Sequence, residues 1–481
     1  MPLPPSTSIS VPVGGDRPPL LRDDTLTLVH RATFGYTAEE HARATAMGFE
    51  AWRDEQLDPA SIDDSQLEAQ LAAIPYLGMS VAELAAAFAG QNGADNELRR
   101  ILQGARLLRA ATSKRQLLER MVEFWTDHFN IYGDGSIAFL KVVDDREVVR
   151  RHALGDFREL LGASAKSGAM LVYLDNATSV AAAPNENYSR ELMELHTLGT
   201  GAGYTEQDVQ EVARCLTGWT IYPPGHPSVG EFVFNPSTHD NGAKVVLGQS
   251  IAAGGGQQDG ETVLDLLAFH PSTARRLAEK LCVFFLSYDP PSATVDRVAA
   301  VFTATSGDIA ETVRAVLSRQ SFREGRVWQQ LKLRRPMHMA VGAIRSAGGT
   351  LSTSPQGLYE LVAVTKFMGH APFDWPAPNG YPDALGAWGA NLLPRWTFAT
   401  ALLDDAIAGA TVPNAALLAI FSGVAPSRRA GALSRHLTGG RMTPEDVAEV
   451  QAFIDSQSTF NGDVAREAVA LALSLPSTQW I

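Results

Sequence analysis

The chain has 481 residues, of which 45% are hydrophobic and 19% charged, so it can bury a large core and is not a disordered polyampholyte. Its 40 basic and 53 acidic residues leave a net charge of -13, which repels phosphate backbones and anionic lipid and excludes nucleic acid as an expected partner. The two cysteines, Cys215 and Cys282, sit in apolar helical patterns as small hydrophobes, which leaves no disulfide framework and no zinc ribbon.

Residues 1–20 read as a flexible Pro/Gly tail with neither a positive n-region nor an apolar h-region, so the expected compartment is the cytoplasm. No apolar run approaches the roughly 18 residues that would predict a membrane span. Over residues 21–225 the apolar spacing predicts a helical lobe. LTLVHRATFG is a helix ending at Gly35, and Thr37 with Glu40 caps the next one. Ser113 with Gln116 opens KRQLLERMVEFWTDHFN, whose phase puts Phe124, Trp125 and His128 on a buried face and Glu123 and Asp127 on the opposite side.

Beyond Trp219 the texture changes. EFVF and KVVLG are short β-type runs, and Asn241-Gly242 between them favours a hairpin reversal, so residues 226–260 are read as a hairpin with a Gly-rich connector. A second helical lobe follows over 261–481, in which Lys332, Arg334 and Arg335 read as a solvated helix face. The loop from Met368 to Pro394 carries Trp375, Tyr381 and Trp388, rigid aromatics that floor a ligand pocket or plug the gap between lobes. The fold class is mainly α: two fused helical lobes with a small β-hairpin insertion.

The stretch from Asn185 to Trp219 holds the densest chemistry. In NENYSRELMELHTLG, at about 100° per residue, Asn187, Glu191 and Glu194 share one side while His196 falls roughly across the helix. Two carboxylates on one face suit a divalent ion such as magnesium, manganese or calcium, or a shared-proton pair; Glu186, Arg190 and Glu194 can equally form an ion-pair ladder. Any histidine partner must then come from elsewhere, from His128 or from His239 beside Asp240, although Asp240 alternatively just builds its turn. The expected catalytic residues are Glu191, Glu194, His128, Asp127 and Arg190. The expected ligand-binding residues are Asn187, His196, Arg214, Asp240 and Trp375, and a divalent metal ion is expected on Glu191, Glu194, His128 and His239.

LVHRATFGYT, FWTDHFNIY, NENYSRELMELHTLG with GYTEQDVQEVARCLTGW, THDNGAKVVLG and FHPSTARRLAEKL occur in this order. Together they resemble the bacterial family catalogued as domain of unknown function 1800. The resemblance implies a large, mainly helical protein without an established activity, whose relatives often carry export signals and are often encoded beside another uncharacterised family. Two features depart from it: no export signal is read here, and the late loop has PNGYP where the family pattern places a tryptophan after the glycine. Two functional expectations follow. The first is a metal-assisted, hydrolase-like enzyme acting on a small molecule between the N-terminal helices and the hairpin. The second is a non-enzymatic assembly or chaperone-like protein partner of a neighbouring gene product, with its polar core as a buried structural network.

Overall fold

Side-chain caps set many of the helix starts. Asp23 accepts from the Leu26 amide at 2.8 Å, and Thr37 from the Glu40 amide at 3.2 Å. Asn185 accepts from the Asn187 amide at 2.7 Å and opens the helix Glu186–Glu194. Thr205 and Asp208 exchange bonds in a complete capping box. The expected box at Ser113 does not form. Gln116 instead turns its amide back to the carbonyls of Ala110 and Ser113, at 3.1 and 2.7 Å, and the helix runs from Gln116 to His128.

The structure, a computed structural model, describes residues 22–481. The expected tail, residues 1–20, lies outside the described residues. The chain is mainly helical with small hairpins. Among the described residues the strands form three two-stranded antiparallel sheets, and no helix is long and apolar enough to cross a membrane.

The strand pairing differs from the sequence expectation, because EFVF and KVVLG do not pair with each other. Phe232–Phe234 returns to Trp219–Ile221, and Lys244–Val246 folds onto Gln249–Ile251. The second reversal uses Leu247 and Gly248 at φ 51° and 76°, the two positive φ values that a tight hairpin of right-handed strands needs. The Asn241-Gly242 turn is consumed locally, with the Gly242 amide bonded to Asp240 at 2.8 Å.

Two apolar clusters organise the packing. The larger runs from Leu26 to Val327 and includes Trp125, Tyr188, Trp219 and Phe285, so it continues past residues 225 and 261, where the sequence suggested lobe boundaries. The second gathers residues from Met337 to Leu473 and takes in Phe34, Leu107 and Ala110 from the early helices. The helix Gln116–His128 is buried on nearly every side: Glu119, Arg120 and Glu123 are only 3%, 2% and 5% exposed. Its charges are therefore answered by partners and not by water. Glu119 meets Arg150 at 2.6 Å and Arg106 at 3.0 Å, and Arg150 also meets Asp145 at 3.1 Å. Asp145–Arg150 is a π-helical turn, whose wider winding falls where these charges meet.

The chain closes on itself near its end. Lys332 and Ile481 exchange backbone bonds at 2.9 Å, and the Arg334 amide donates to the Gln479 carbonyl at 2.8 Å. The segment that carries Lys332, Arg334 and Arg335 is thereby held as an extended pairing with residues 479–481.

Candidate active-site cleft

A cleft of about 410 Å³ opens between the end of helix Gln116–His128, the helix Pro271–Phe285, the residue that precedes helix Pro336–Ser346, and the late loop. It is lined by Asp127, Arg276, Lys280, Arg335 and Asp383, with Phe124 and Phe284 as apolar floor and Tyr381 as part of the wall. The loop is seated by its backbone. Asn130 donates to the carbonyls of Trp375 and Ala377 at 2.9 and 2.7 Å, and Tyr173 donates to that of Pro376 at 2.7 Å. Gly380, at φ 70°, lies so close to helix Gln116–His128 that an added Cβ would stand 2.1 Å from the Asp127 carbonyl oxygen. The aromatic loop is thus both a plug and a pocket wall, since Trp375, Tyr381 and Trp388 pack with Leu333 into a small apolar cluster beneath it.

Lys332, Arg334 and Arg335, expected on a solvated face, are instead 4%, 5% and 4% exposed, which corrects the sequence reading. The acids of Lys332 and Arg335 come from far along the chain, while Arg334 has no ion-pair partner among the described residues. Arg335 reaches Asp127 at 2.5 Å and Glu123 at 3.5 Å, and Lys332 reaches Asp383 at 2.6 Å. The same contacts show that the side of the helix carrying Glu123 and Asp127, read as opposite the buried face, is itself packed against protein. Glu123 is held by Arg120 at 2.8 Å and by His338 at 2.7 Å, and these partners overcome burial and keep its carboxyl well below the usual range. His338 is pushed down to about 4 by burial and by Arg120, so it is neutral at pH 7.

Asp127 behaves differently. Burial pushes its carboxyl up to about 6; the Arg335 guanidinium opposes the rise and the Glu123 carboxylate adds to it. On the other side of the cleft, Lys280 donates to His128 Nδ1 at 2.8 Å. Burial and the nearby Arg276 bring the Lys280 ammonium down to about 7. A carboxyl raised and an ammonium lowered toward neutrality in one cleft is an arrangement suited to proton transfer.

The expected site residues divide into three groups. Asp127 lines the cleft; Trp375 packs behind its Tyr381 wall, and His128 reaches it only through its bond to Lys280. His128 is buried as its helical phase predicts, but both ring nitrogens are engaged, since Nε2 lies 3.0 Å from the His196 carbonyl oxygen. His196 is reached because the helix ends at Glu194 and a wide turn follows, with the His196 amide bonded back to the Glu191 carbonyl at 3.0 Å. Its ring is buried against Phe129, with the centroids 5.0 Å apart, and burial lowers its pKa to about 3.

A second group sits elsewhere and forms surface or hairpin contacts. Arg190 pairs with Glu206 at 2.7 Å and Glu186 at 3.4 Å; of the expected ladder only the Glu186 rung is present. Arg214 pairs with Glu211 at 2.8 Å and Asp240 at 2.7 Å, so Asp240 anchors the turn and an arginine together. Asn187 is exposed. Glu191 and Glu194 are half-buried, and burial followed by Glu194 raises the Glu191 carboxyl.

The third group is the metal set. His239 spends Nδ1 on the Thr217 carbonyl at 2.8 Å and Nε2 on Asp259 at 3.2 Å, while Lys244 meets the same carboxylate at 2.7 Å. His128 is spent on Lys280 and His196, as above. Among the described residues no three His, Cys, Asp or Glu side chains gather as a metal ion would need, so Glu191, Glu194, His128 and His239 are not brought into one centre and do not fit the group.

Several residues of the cleft were missed in the sequence: Lys280, Arg276, Arg335, Lys332, Asp383 and, behind them, Glu123 with His338. A signal existed for Lys280, Lys332 and Arg335. EKLCVFFL places Lys280 inside an otherwise apolar helical run, and LKLRRP places its cations immediately before a buried helix, where a solvated face has no room. Asp383 carried no such signal.

No curated protein and no solved structure matches this chain. A family model described as protein of unknown function (DUF1800) matches residues 27–480, nearly the full length, and the chain therefore belongs to that family.

Proposed function

We propose that the cleft is the active site of an acid–base enzyme acting on a small organic anion, with water as a reactant or product. The observation that carries this reading is the convergence of Asp127, Lys280, Arg276 and Arg335 on one cavity of about 410 Å³. Arg335 holds Asp127 in place, and Asp127 exchanges a proton near neutral pH. Arg276 donates one bond to the Leu195 carbonyl at 3.3 Å, and neither it nor Lys280 has a carboxylate oxygen within the 4.0 Å of an ion pair among the described residues. Glu279 lines the same cavity and, with Glu194, offsets part of the Arg276 charge, but neither Arg276 nor Lys280 is tied into an ion pair, so both can turn to an anionic ligand. The hydrolase-like expectation is carried forward in this form, without the metal.

A thermal-shift screen of small carboxylates and phosphates tests the reading. At least one anion class should raise the melting temperature of the wild-type protein and lose that effect in Arg276→Gln. No shift from any anion, or a shift unchanged in Arg276→Gln, would sink it. The assembly-partner reading draws its support from the buried ion network of Glu119, Arg106, Arg150 and Asp145, whose members pair with one another and form no ion pair with the cleft residues among the described residues.

A further inference from the structure

We propose that Lys280 is a covalent carbonyl-binding amine: its Nζ forms an imine with a small 2-oxo acid whose carboxylate is held by Arg276 and Arg335. This rests on the reading of the cleft as an acid–base site for anions, and adds the bond that is made there.

The argument begins with a contrast among lysines. Lys141, Lys244 and Lys332 are all buried and each has a carboxylate partner, in Asp144, Asp259 at 2.7 Å and Asp383 at 2.6 Å respectively. Lys280 is half-buried, lines a cavity, and has no such partner among the described residues. Its polar contact is His128 Nδ1 at 2.8 Å. Because the His128 Nε2 proton is committed to the His196 carbonyl at 3.0 Å, Nδ1 bears the lone pair, and it accepts from the amine whether or not the amine is charged. A carboxylate would favour the ammonium; a neutral imidazole orients the nitrogen without insisting on the charge.

The surroundings press in the same direction. Burial and the Arg276 guanidinium, with Arg335 behind it, oppose another positive charge and outweigh the Asp127 carboxyl, which favours one. With its pKa brought down to about 7, the Lys280 amine is about half neutral at pH 7, against roughly one part in three thousand for an ordinary lysine. A desolvated lysine next to other cations is a recurrent way to make an amine nucleophile. The guanidinium is the side chain whose planar donors match a carboxylate, and two of them face this nitrogen's cavity.

The step balances without an oxidant or reductant. The Nζ lone pair adds to the carbonyl carbon as the C=O π pair moves to oxygen. Asp127 gives that oxygen a proton and takes one from nitrogen, which leaves a carbinolamine. A second proton from Asp127 lets the hydroxyl leave as water, and the nitrogen lone pair closes the C=N bond. The products are a protonated imine, one water and the Asp127 carboxylate.

Pyruvate with sodium cyanoborohydride at pH 7 is the probe, and lactate is its carbonyl-free counterpart. The full chain should gain one 1-carboxyethyl group, mapped by peptide mass spectrometry to Lys280, at least about tenfold faster than at the exposed Lys114. Lactate should slow that labelling. If Lys280 stays unlabelled, or labels no faster than Lys114, the imine is overturned. If lactate still raises the melting temperature of the wild type but not of Arg276→Gln, the anion cleft survives that loss. If neither anion shifts the melting temperature and Lys280 stays unlabelled, both readings fall.

Discussion

Replacing Asp127 by asparagine tests which of two opposed forces rules the cleft. The Arg335 guanidinium stands 2.5 Å from the carboxylate, and at an effective dielectric of about 20 two unit charges at that separation attract by about 7 kcal/mol. Against this stand the several kcal/mol that each ion loses on leaving water and the repulsion of Glu123, which shares the same arginine. The net result raises Asp127 from the ordinary value of about 3.9 to about 6, so burial and Glu123 win. At about 1.4 kcal/mol per pH unit, that rise is worth about 3 kcal/mol. The sign follows from the direction: the folded state holds the proton more tightly, so its advantage is full below pH 3.9 and is lost as pH climbs through 6. Asparagine cannot titrate. Urea melts of both proteins from pH 4 to 8 should show the wild type losing about 3 kcal/mol relative to Asp127→Asn, with a flat difference above about pH 7. A slope of the opposite sign would mean that the ion pair with Arg335 dominates and that Asp127 is a fixed anion, which removes it as a proton carrier.

Glu123→Gln leaves Arg120 and Arg335 buried with one acid fewer, and should destabilise the fold by about 3–5 kcal/mol in denaturant melts. Gly380→Ala forces a Cβ to within 2.1 Å of the Asp127 carbonyl oxygen at a positive φ; it should cost at least about 2 kcal/mol and weaken anion binding by displacing the loop, as read by calorimetry. Treatment with a chelator should leave both the melting temperature and anion binding unchanged, because His128 and His239 spend their ring nitrogens on protein partners. Near-stoichiometric metal in protein purified without chelator would contradict that outcome.

The fold class was legible because periodicity and caps are local: the Thr37 cap on the Glu40 amide and the buried phase of His128 need only a dozen residues of sequence to be seen. The cleft was only partly legible, because its pairs are not local. Arg335 meets an aspartate 208 residues earlier, and nothing in LKLRRP by itself distinguishes a solvated cationic face from a buried one whose Lys332 and Arg335 pair with distant acids. Helical phase could not show that the side carrying Glu123 and Asp127 is packed too, because phase places residues around one helix and says nothing of what packs against it. The stretch from Asn185 to Trp219 drew attention by its polar density. Much of that density serves to join elements: Arg190 ties its helix to Glu206, and Arg214 ties the next helix to the Asp240 turn.

The pairing of Gln479–Ile481 with Lys332–Arg334 ties residues 479–481 to a cleft they reach only through Trp480, which packs on the cluster of Leu333, Tyr381 and Trp388. Residues 479–481 anchor the backbone that presents Lys332 to Asp383 and leads directly into Arg335. Loss of that pairing would cost Lys332 and Arg335 their aim while both apolar cores, whose buried members stop at Leu473, stayed packed.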